Sequence, residues 1–197
     1  MTVNRSAEPR IFPVPELPAT IDTSGLFEGL FTGQEDLNIL RTMAVNPSLL
    51  EAFFPLLQQV AADVLPARDR EVVILRTAWR TRTPYMWAHH HAGGLAAGMS
   101  EQEIATVADQ PAPPQWRPFD AVLVRAVDEL HDVAHLSEAT YQALARQYDQ
   151  KQILELLALT GTYTLLSFIL NTARVQIDPW LTDPAALPNL RSVKEPS

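Results

Sequence analysis

The stretch "PARDREVVILRTAWRTRTPYMWAHHHAGGLAAGMSEQE", residues 66–103, contains the start and stop signals of successive helices. Apolar residues recur at helical spacing over 66–81, with no alternating pattern typical of a strand. Thr83 and Pro84 then supply an N-cap and a first helical residue for a helix that runs to Gly98. This stretch predicts helices packed on one another.

Similar signals indicate helices in the rest of the chain. Asn46 followed by Pro47 is a helix start, and Ser100 with Glu103 forms a capping box. The spacing predicts an all-α bundle of about seven or eight helices. The first is expected to begin after Asp36, and the others are expected at about 47–62, 66–81, 84–98, 101 onward, 117–134, 137–148 and 150–171. In the helix at 47–62 the pattern predicts one apolar side made of Leu49, Phe53, Leu56 and Leu57.

The bundle is flanked by segments without helical periodicity. Residues 1–35 are rich in proline and are expected to form an extended arm that packs across its own domain or a neighbouring subunit; disorder is the alternative. Residues 36–178 are expected to form a single all-α domain, and residues 179–197 an irregular tail.

Composition excludes several classes of function. The 197 residues include no cysteine, which excludes disulfides, thiolate metal ligands and thiol redox cycles. The net charge of −8, with no basic stripe, argues against nucleic acid as a partner. The longest apolar stretch, "ILELLALTGTYTLLSFIL", carries Glu155 and hydroxyl residues, so we expect a buried core helix rather than a membrane span. No secretory signal is evident at the N-terminus, and a cytoplasmic protein is expected.

Glu71 is a candidate for proton transfer because it lies on an apolar helix face. Its i+3, i+4 and i+7 neighbours are Ile74, Leu75 and Ala78. A carboxylate there must be paired, hydrogen-bonded or protonated, and burial raises the pKa of such a group toward the range useful for catalysis. The alternative is a structural Glu satisfied by an arginine or a backbone group.

The histidines do not form one metal cluster. His89, His90 and His91 point about 100° apart on one helix, so they cannot bind a single ion together. His90 lies at helical spacing from the small residues Gly93, Gly94 and Ala97, which let a neighbouring helix approach and enclose it. His89 and His91 are expected to be exposed or in ordinary contacts.

A second pair of histidines has a spacing that can suit a metal. His131 and His135 are four residues apart, but their helix is expected to end between them and no third ligand is indicated. Asp128, Glu129 and Asp132 predict a solvated face there. We therefore expect no metal site and no cofactor.

The order of these residues is similar to that of a known family. "REVVILRTAWRTRTPYMWAHHHAGGLAAGMSEQEI" resembles the signature segment of the carboxymuconolactone decarboxylase and alkylhydroperoxidase D-like superfamily, and the resemblance covers most of residues 10–180. In its redox members a Glu precedes a C-x-x-C motif and a His follows it; Glu71 and His90 match these positions, whereas Thr83 and Met86 stand where the cysteines would be. Tyr85 matches a cysteine-free branch with the pattern Y-E-W-x-x-H, although Met86 also replaces that branch's central Glu.

The resemblance implies an all-α fold that assembles into trimers or hexamers with sites near subunit contacts. Peroxidase chemistry needs thiolates, so it is excluded here. What remains is an acid–base pair, with Glu71 and His90 as the catalytic candidates. The candidate substrate-binding residues are Tyr85, Trp87, Met86, Thr83 and Arg80, with Arg76 and Arg82 as further possible anchors for an acid.

Two kinds of function remain open. One is a cofactor-independent, non-redox enzyme of the decarboxylase type, acting on a small carboxylated or lactone-like molecule by decarboxylation, isomerisation, dehydration or cyclisation. The other is a catalytically inactive ligand-binding or structural oligomer of the same fold. The polar residues of the last helix are expected to bond to its own backbone, with Tyr163 or Asn171 reaching the pocket as the alternative.

Overall fold

The computed structural model describes residues 8–21, 37–62, 64–108 and 116–181 of the chain. Within these ranges the protein is all-α, with no strand. Its eight helices are α1 (Asn38–Met43), α2 (Pro47–Ala61), α3 (Ala67–Thr81), α4 (Pro84–Ala96), α5 (Glu101–Thr106), α6 (Pro118–Val133), α7 (Glu138–Ala145) and α8 (Gln150–Ala173). The predicted fold class is confirmed.

Helix α3 forms the centre of the bundle. It packs against α4, α6 and α8, and its middle turns are buried on every side, with Val73, Leu75 and Ala78 fully inaccessible. A helix surrounded in this way is the most rigid support that the fold offers for a functional side chain. Glu71 lies on this helix.

The local signals place most helix starts correctly. The Asn46 side chain accepts a hydrogen bond from the Leu49 amide, and Ser100 with Glu103 forms the expected reciprocal capping box. Thr83 is the N-cap residue of α4, but its hydroxyl makes no capping bond. The predicted cap Asp36 lies outside the described residues.

The apolar side of α2 differs from the prediction. Phe53 and Leu57 are buried as expected, but Leu49 and Leu56 are 47% and 42% exposed. Leu50, Phe54 and Val60 complete the buried face instead, because α2 is rotated toward α1 and α8. Since leucine occurs on both sides of this helix, the apolar pattern alone does not fix its rotation.

The described part of the N-terminal arm, residues 8–21, lies across the domain. The Arg10 amide donates to the Ala173 carbonyl at the end of α8 over 2.8 Å. The Arg41 side chain on α1 donates to the Val14 carbonyl over 2.7 Å. The other residues of the predicted arm, and residues 182–197 of the predicted tail, lie outside the described residues.

Helix α8 is long and apolar enough to cross a membrane by length and composition alone. However, 56% of its most apolar window is buried inside the protein. It also carries Glu155, which is only 8% exposed and accepts a hydrogen bond from Gln59 on α2. The packing of α8 is that of a core helix.

Candidate active site

Glu71 and His90 meet between α3 and α4. Oε2 of Glu71 lies 2.8 Å from Nδ1 of His90, and the side chains are 2% and 16% exposed, respectively. The contact leaves Nε2 as the ring nitrogen of His90 available to a ligand. The pair therefore has the geometry of an imidazole oriented by a buried carboxylate.

Gly93 makes this contact possible. A Cβ atom added there would lie 2.7 Å from Oε2 and 2.9 Å from Cδ of Glu71, which is too close for any side chain. The bare Cα of Gly93 thus lets α4 approach the carboxylate on α3. The sequence correctly indicated a close helix approach beside His90.

Replacing Gly93 by alanine is expected to destabilise the protein by about 1–3 kcal/mol, as inserting extra atoms into a packed core does. In an unobstructed helix interior the same change stabilises by about 1 kcal/mol. Urea unfolding of Gly93→Ala and of the wild type measures the change in the free energy of unfolding. Gly161→Ala in α8 is the matched control, because a Cβ there meets nothing within 4 Å. A Gly93→Ala variant at least as stable as the wild type would show that the carboxylate is not held against α4.

An open cavity of about 80 Å³ lies beside the pair. Most of its wall is apolar and comes from α1, α2, α3 and α8, including Leu37, Ile39, Leu57, Ile74, Leu166 and Leu170. Glu71 and His90 both line it, and so do Tyr85 and Met86. A polar pair in an apolar hollow interacts more strongly with a ligand than the same pair would in water.

Three polar residues of the cavity, Arg70, His89 and Tyr163, were not among the predicted site residues. Arg70 lines it, with Nε 3.8 Å from Oε1 of Glu71 and Nη1 donating to the Ala61 carbonyl. Tyr163, left as an alternative by the sequence, lines it from α8. The Tyr163 ring contacts the His90 ring edge to face, with centroids 5.1 Å apart.

A second imidazole–carboxylate contact stands at the other end of the cavity. Oδ2 of Asp178 lies 2.8 Å from Nε2 of His89 and accepts a hydrogen bond from the Tyr85 hydroxyl, while Oδ1 accepts from the Asn38 amide. His89 is 5% exposed, and burial lowers its pKa below the ordinary value. Asp178 thus joins the segment after α8 to α1 and to two cavity-lining residues of α4.

The remaining predicted site residues lie away from the cavity. Trp87 is 1% exposed within the core, and the Thr83 hydroxyl accepts a hydrogen bond from Asn171. Arg80 points toward α6, where it pairs with Asp132. None of these three predicted residues lines the cavity.

The expectation of a solvated acidic face on α6 is wrong for Asp128. The fully buried Arg76 forms a two-point ion pair with Asp128, each N–O distance being 2.9 Å, and also donates to the Val107 carbonyl. The Arg76 guanidinium lies over the Trp79 ring, 4.1 Å from its centroid. Asp128 is thus a structural anchor between α3 and α6.

The two histidines near the end of α6 have separate surroundings. The helix ends at Val133, between His131 and His135, as the sequence indicated. His135 Nδ1 lies 3.0 Å from the Val133 carbonyl, whereas burial lowers the pKa of His131. Among the described residues no group of three or more metal-ligating side chains occurs.

One family model matches the central part of the chain. Residues 47–129, which include α3, α4 and the Glu71–His90 pair, match the sequence model of the carboxymuconolactone decarboxylase family. Over this segment, which is less than half of the chain, the protein is similar to that family. None of the curated protein sequences matches the chain.

Solved structures show the same fold at low sequence identity. An uncharacterised peroxidase-related protein from Ralstonia eutropha JMP134, described as an alkylhydroperoxidase AhpD core, is 20% identical with a TM-score of 0.75, and the match covers 92% of this chain and 100% of that one. The debrominase Bmp8, as a cysteine-to-alanine variant in complex with 2,3,4-tribromopyrrole, is 17% identical with a TM-score of 0.70, over 92% and 97% of the two chains. An uncharacterised peroxidase-related protein from Silicibacter sp. TM1040 is 15% identical with a TM-score of 0.69, and the match covers 88% of this chain and 96% of that one. These similarities establish the alkylhydroperoxidase D-like fold for this chain.

Proposed function

We propose that this protein belongs to the carboxymuconolactone decarboxylase family and is a non-redox, cofactor-independent acid–base enzyme acting on a small carboxylated or lactone-like substrate. The observation that carries the proposal is the 2.8 Å contact between Glu71 and His90 at the edge of an apolar cavity. The absence of cysteine removes thiol chemistry while leaving this proton-transfer pair intact. The open cavity favours catalysis over a purely structural role.

For a decarboxylation, the substrate itself holds the electrons that are released. The bond between carbon and the carboxylate breaks, CO2 leaves, and the electron pair moves into the conjugated carbonyl to give an enolate. Protonated His90 then delivers a proton from Nε2 to carbon, and Glu71 stabilises the imidazolium while it is charged.

Arg70 is the cation best placed to receive the acid group. It lies on the cavity wall beside Glu71, whereas Arg76 and Arg80 point toward carboxylates on α6 and do not line the cavity. A guanidinium keeps its charge at every physiological pH and carries five donors, so it can hold a substrate carboxylate while it contacts its own backbone partner. In this role Arg70 replaces the predicted Arg80.

A substrate screen in D2O tests the proposal. β-Keto acids and carboxylated γ-lactones are incubated with the protein, and CO2 release is measured together with deuterium on the carbon that lost the carboxylate. We expect at least one panel member to give both signals. CO2 release without carbon-bound deuterium, or no product from any member, would contradict the proposed acid–base enzyme.

We also propose that the protein associates with copies of itself through α8. The outward face of this helix carries Leu154, Ala158, Gly161, Leu165 and Phe168 at the alternating spacing of a helix–helix seam. Leu154 and Phe168 are 67% and 62% exposed, which is unusual for side chains of this size on an isolated subunit. Small residues at the centre of the face allow a second α8 to approach closely.

Charge on this face is expected to separate the copies. In Phe168→Glu a carboxylate would have to be buried at the seam, so the assembly should dissociate to monomers in light scattering after size-exclusion chromatography. Val133→Glu, at a residue that is 57% exposed on α6, is the matched control and should keep the wild-type mass. A wild type that is already monomeric, or a Phe168→Glu assembly of unchanged mass, would contradict the proposed seam.

A further inference from the structure

Tyr163 enters the cavity from a third helix. It lies on α8, whereas Glu71 lies on α3 and His90 on α4, and all three side chains line the same hollow. The edge-to-face contact with the imidazole, with the ring planes 78° apart, fixes the tyrosine ring beside the proton-transfer pair.

The Tyr163 hydroxyl has no hydrogen-bond partner among the described residues. The residue is only 6% exposed, and the influences on its hydroxyl are burial and the charges of Glu71 and Arg70, without any hydrogen bond. Some polar atoms of the described residues are fully enclosed and have no hydrogen-bond partner, but the Tyr163 hydroxyl is not one of them. This indicates that the hydroxyl is reached from the open cavity. Because buried hydroxyls are nearly always bonded, a ligand or water in the cavity is the natural partner.

The hydroxyl keeps its proton under all physiological conditions. Burial, and secondly the negative charge of Glu71, raise the pKa of Tyr163 far above its usual value. A phenol in this state is a hydrogen-bond donor and cannot act as a base. Such a donor stabilises an oxygen that gains negative charge during a reaction, and it does so most strongly where water is excluded.

We propose that Tyr163 is a catalytic residue that donates a hydrogen bond to the enolate oxygen of the reacting substrate. This inference rests on the proposed acid–base function and narrows its substrate class to enolisable carbonyl compounds, in which a carbonyl oxygen lies within reach of α8 while the reacting carbon faces His90. No proton leaves Tyr163; the carbon is protonated by His90, and the phenol strengthens its hydrogen bond as charge develops on oxygen.

Binding of 4-nitrophenolate to the full chain tests the proposal without turnover. This anion mimics a planar enolate, its absorbance reports whether it stays ionised when bound, and nitrobenzene is the same ring without the oxyanion. Tyr163→Phe is expected to weaken 4-nitrophenolate binding by about tenfold to a hundredfold, as loss of a hydrogen bond to a charged group does. Nitrobenzene affinity should stay within about twofold, because the aromatic ring remains in place.

Tyr141→Phe provides the matched control, since Tyr141 is 38% exposed on α7 and away from the cavity. It should bind both probes like the wild type. Equal loss of both probes in Tyr163→Phe, undiminished 4-nitrophenolate binding, or no 4-nitrophenolate binding by the wild type overturns the proposal.

The substrate screen decides the proposed function separately. If 4-nitrophenolate binding depends on Tyr163 but no panel member gives product, the oxyanion site is supported and the proposed acid–base activity is rejected. If a panel member gives product but 4-nitrophenolate binding does not depend on Tyr163, only the inference about Tyr163 is rejected.

Discussion

Glu71→Gln and His90→Ala are expected to lower turnover of the substrate found in the screen by about 10²–10⁴-fold, the range for loss of a positioned acid–base group. Glutamine keeps the shape of Glu71 but removes the charge that stabilises the imidazolium. Alanine removes the proton donor itself. Because the two residues act as one unit, the double variant should be little slower than the slower single variant.

His91→Ala is the matched control for these variants. His91 is the neighbour of His90 on α4, but it pairs with the exposed Glu101 and does not line the cavity. Its turnover should match the wild type within about twofold, as expected for a surface substitution away from the site. Full turnover by Glu71→Gln and His90→Ala would remove both residues from the mechanism.

The largest loss of stability is expected for Asp128→Ala, which should lower the free energy of unfolding by about 3–5 kcal/mol. The change leaves the Arg76 guanidinium, which is fully buried, without its two-point carboxylate partner. A buried unpaired cation is far more costly than a missing contact on the surface. Urea unfolding with constant m-value measures the effect.

The neighbouring pair Arg80–Asp132 serves as the control. Its side chains are 24% and 58% exposed, so Asp132→Ala should change the free energy of unfolding by less than about 1 kcal/mol. A variant in which Arg76 and Asp128 both become apolar should be more stable than Asp128→Ala alone, because no buried charge is left. Equal stabilities of Asp128→Ala and Asp132→Ala would show that the buried pair anchors nothing.

The helix order could be predicted from the sequence because its signals are local. Asn46, Ser100 and Glu103 act within one turn of their own helix, and the helix starts near them are confirmed. The pairing of Glu71 with His90 was implied by the resemblance to the carboxymuconolactone decarboxylase and alkylhydroperoxidase D-like superfamily. Spacing within each helix indicated only that Glu71 lies on an apolar face and that His90 lies near Gly93.

The contacts that could not be predicted depend on how distant elements are oriented. Nothing local to Asp178 indicates that it reaches His89 and Tyr85, which lie on α4, with the whole of α8 between them in the chain. Asp128 shares its acidic stretch with exposed residues, and only the crossing of α3 and α6 buries it against Arg76. Helical periodicity gives the face on which a residue lies but not the neighbour that the face meets.

The arginines show the same limit. Arg70, Arg76 and Arg80 all lie on α3, and their spacing in the sequence does not say which of them faces a cavity. The cavity-facing residue is Arg70, because it adjoins Glu71 at the end of α3 that packs near α2 and α8. A substrate anchor of this kind requires the rotation of the helix, which only the packed structure supplies.

The protonation of the His90 ring, followed by ¹⁵N NMR, tests the acid–base pair most directly and needs no substrate. If Glu71 accepts a hydrogen bond from the imidazole, the proton of the neutral ring lies on Nδ1, and Nε2 is the bare nitrogen. In Glu71→Gln this preference should weaken. A neutral His90 with its proton on Nε2 and a bare Nδ1 would contradict the account, because the nitrogen needed for catalysis would be unable to accept a proton.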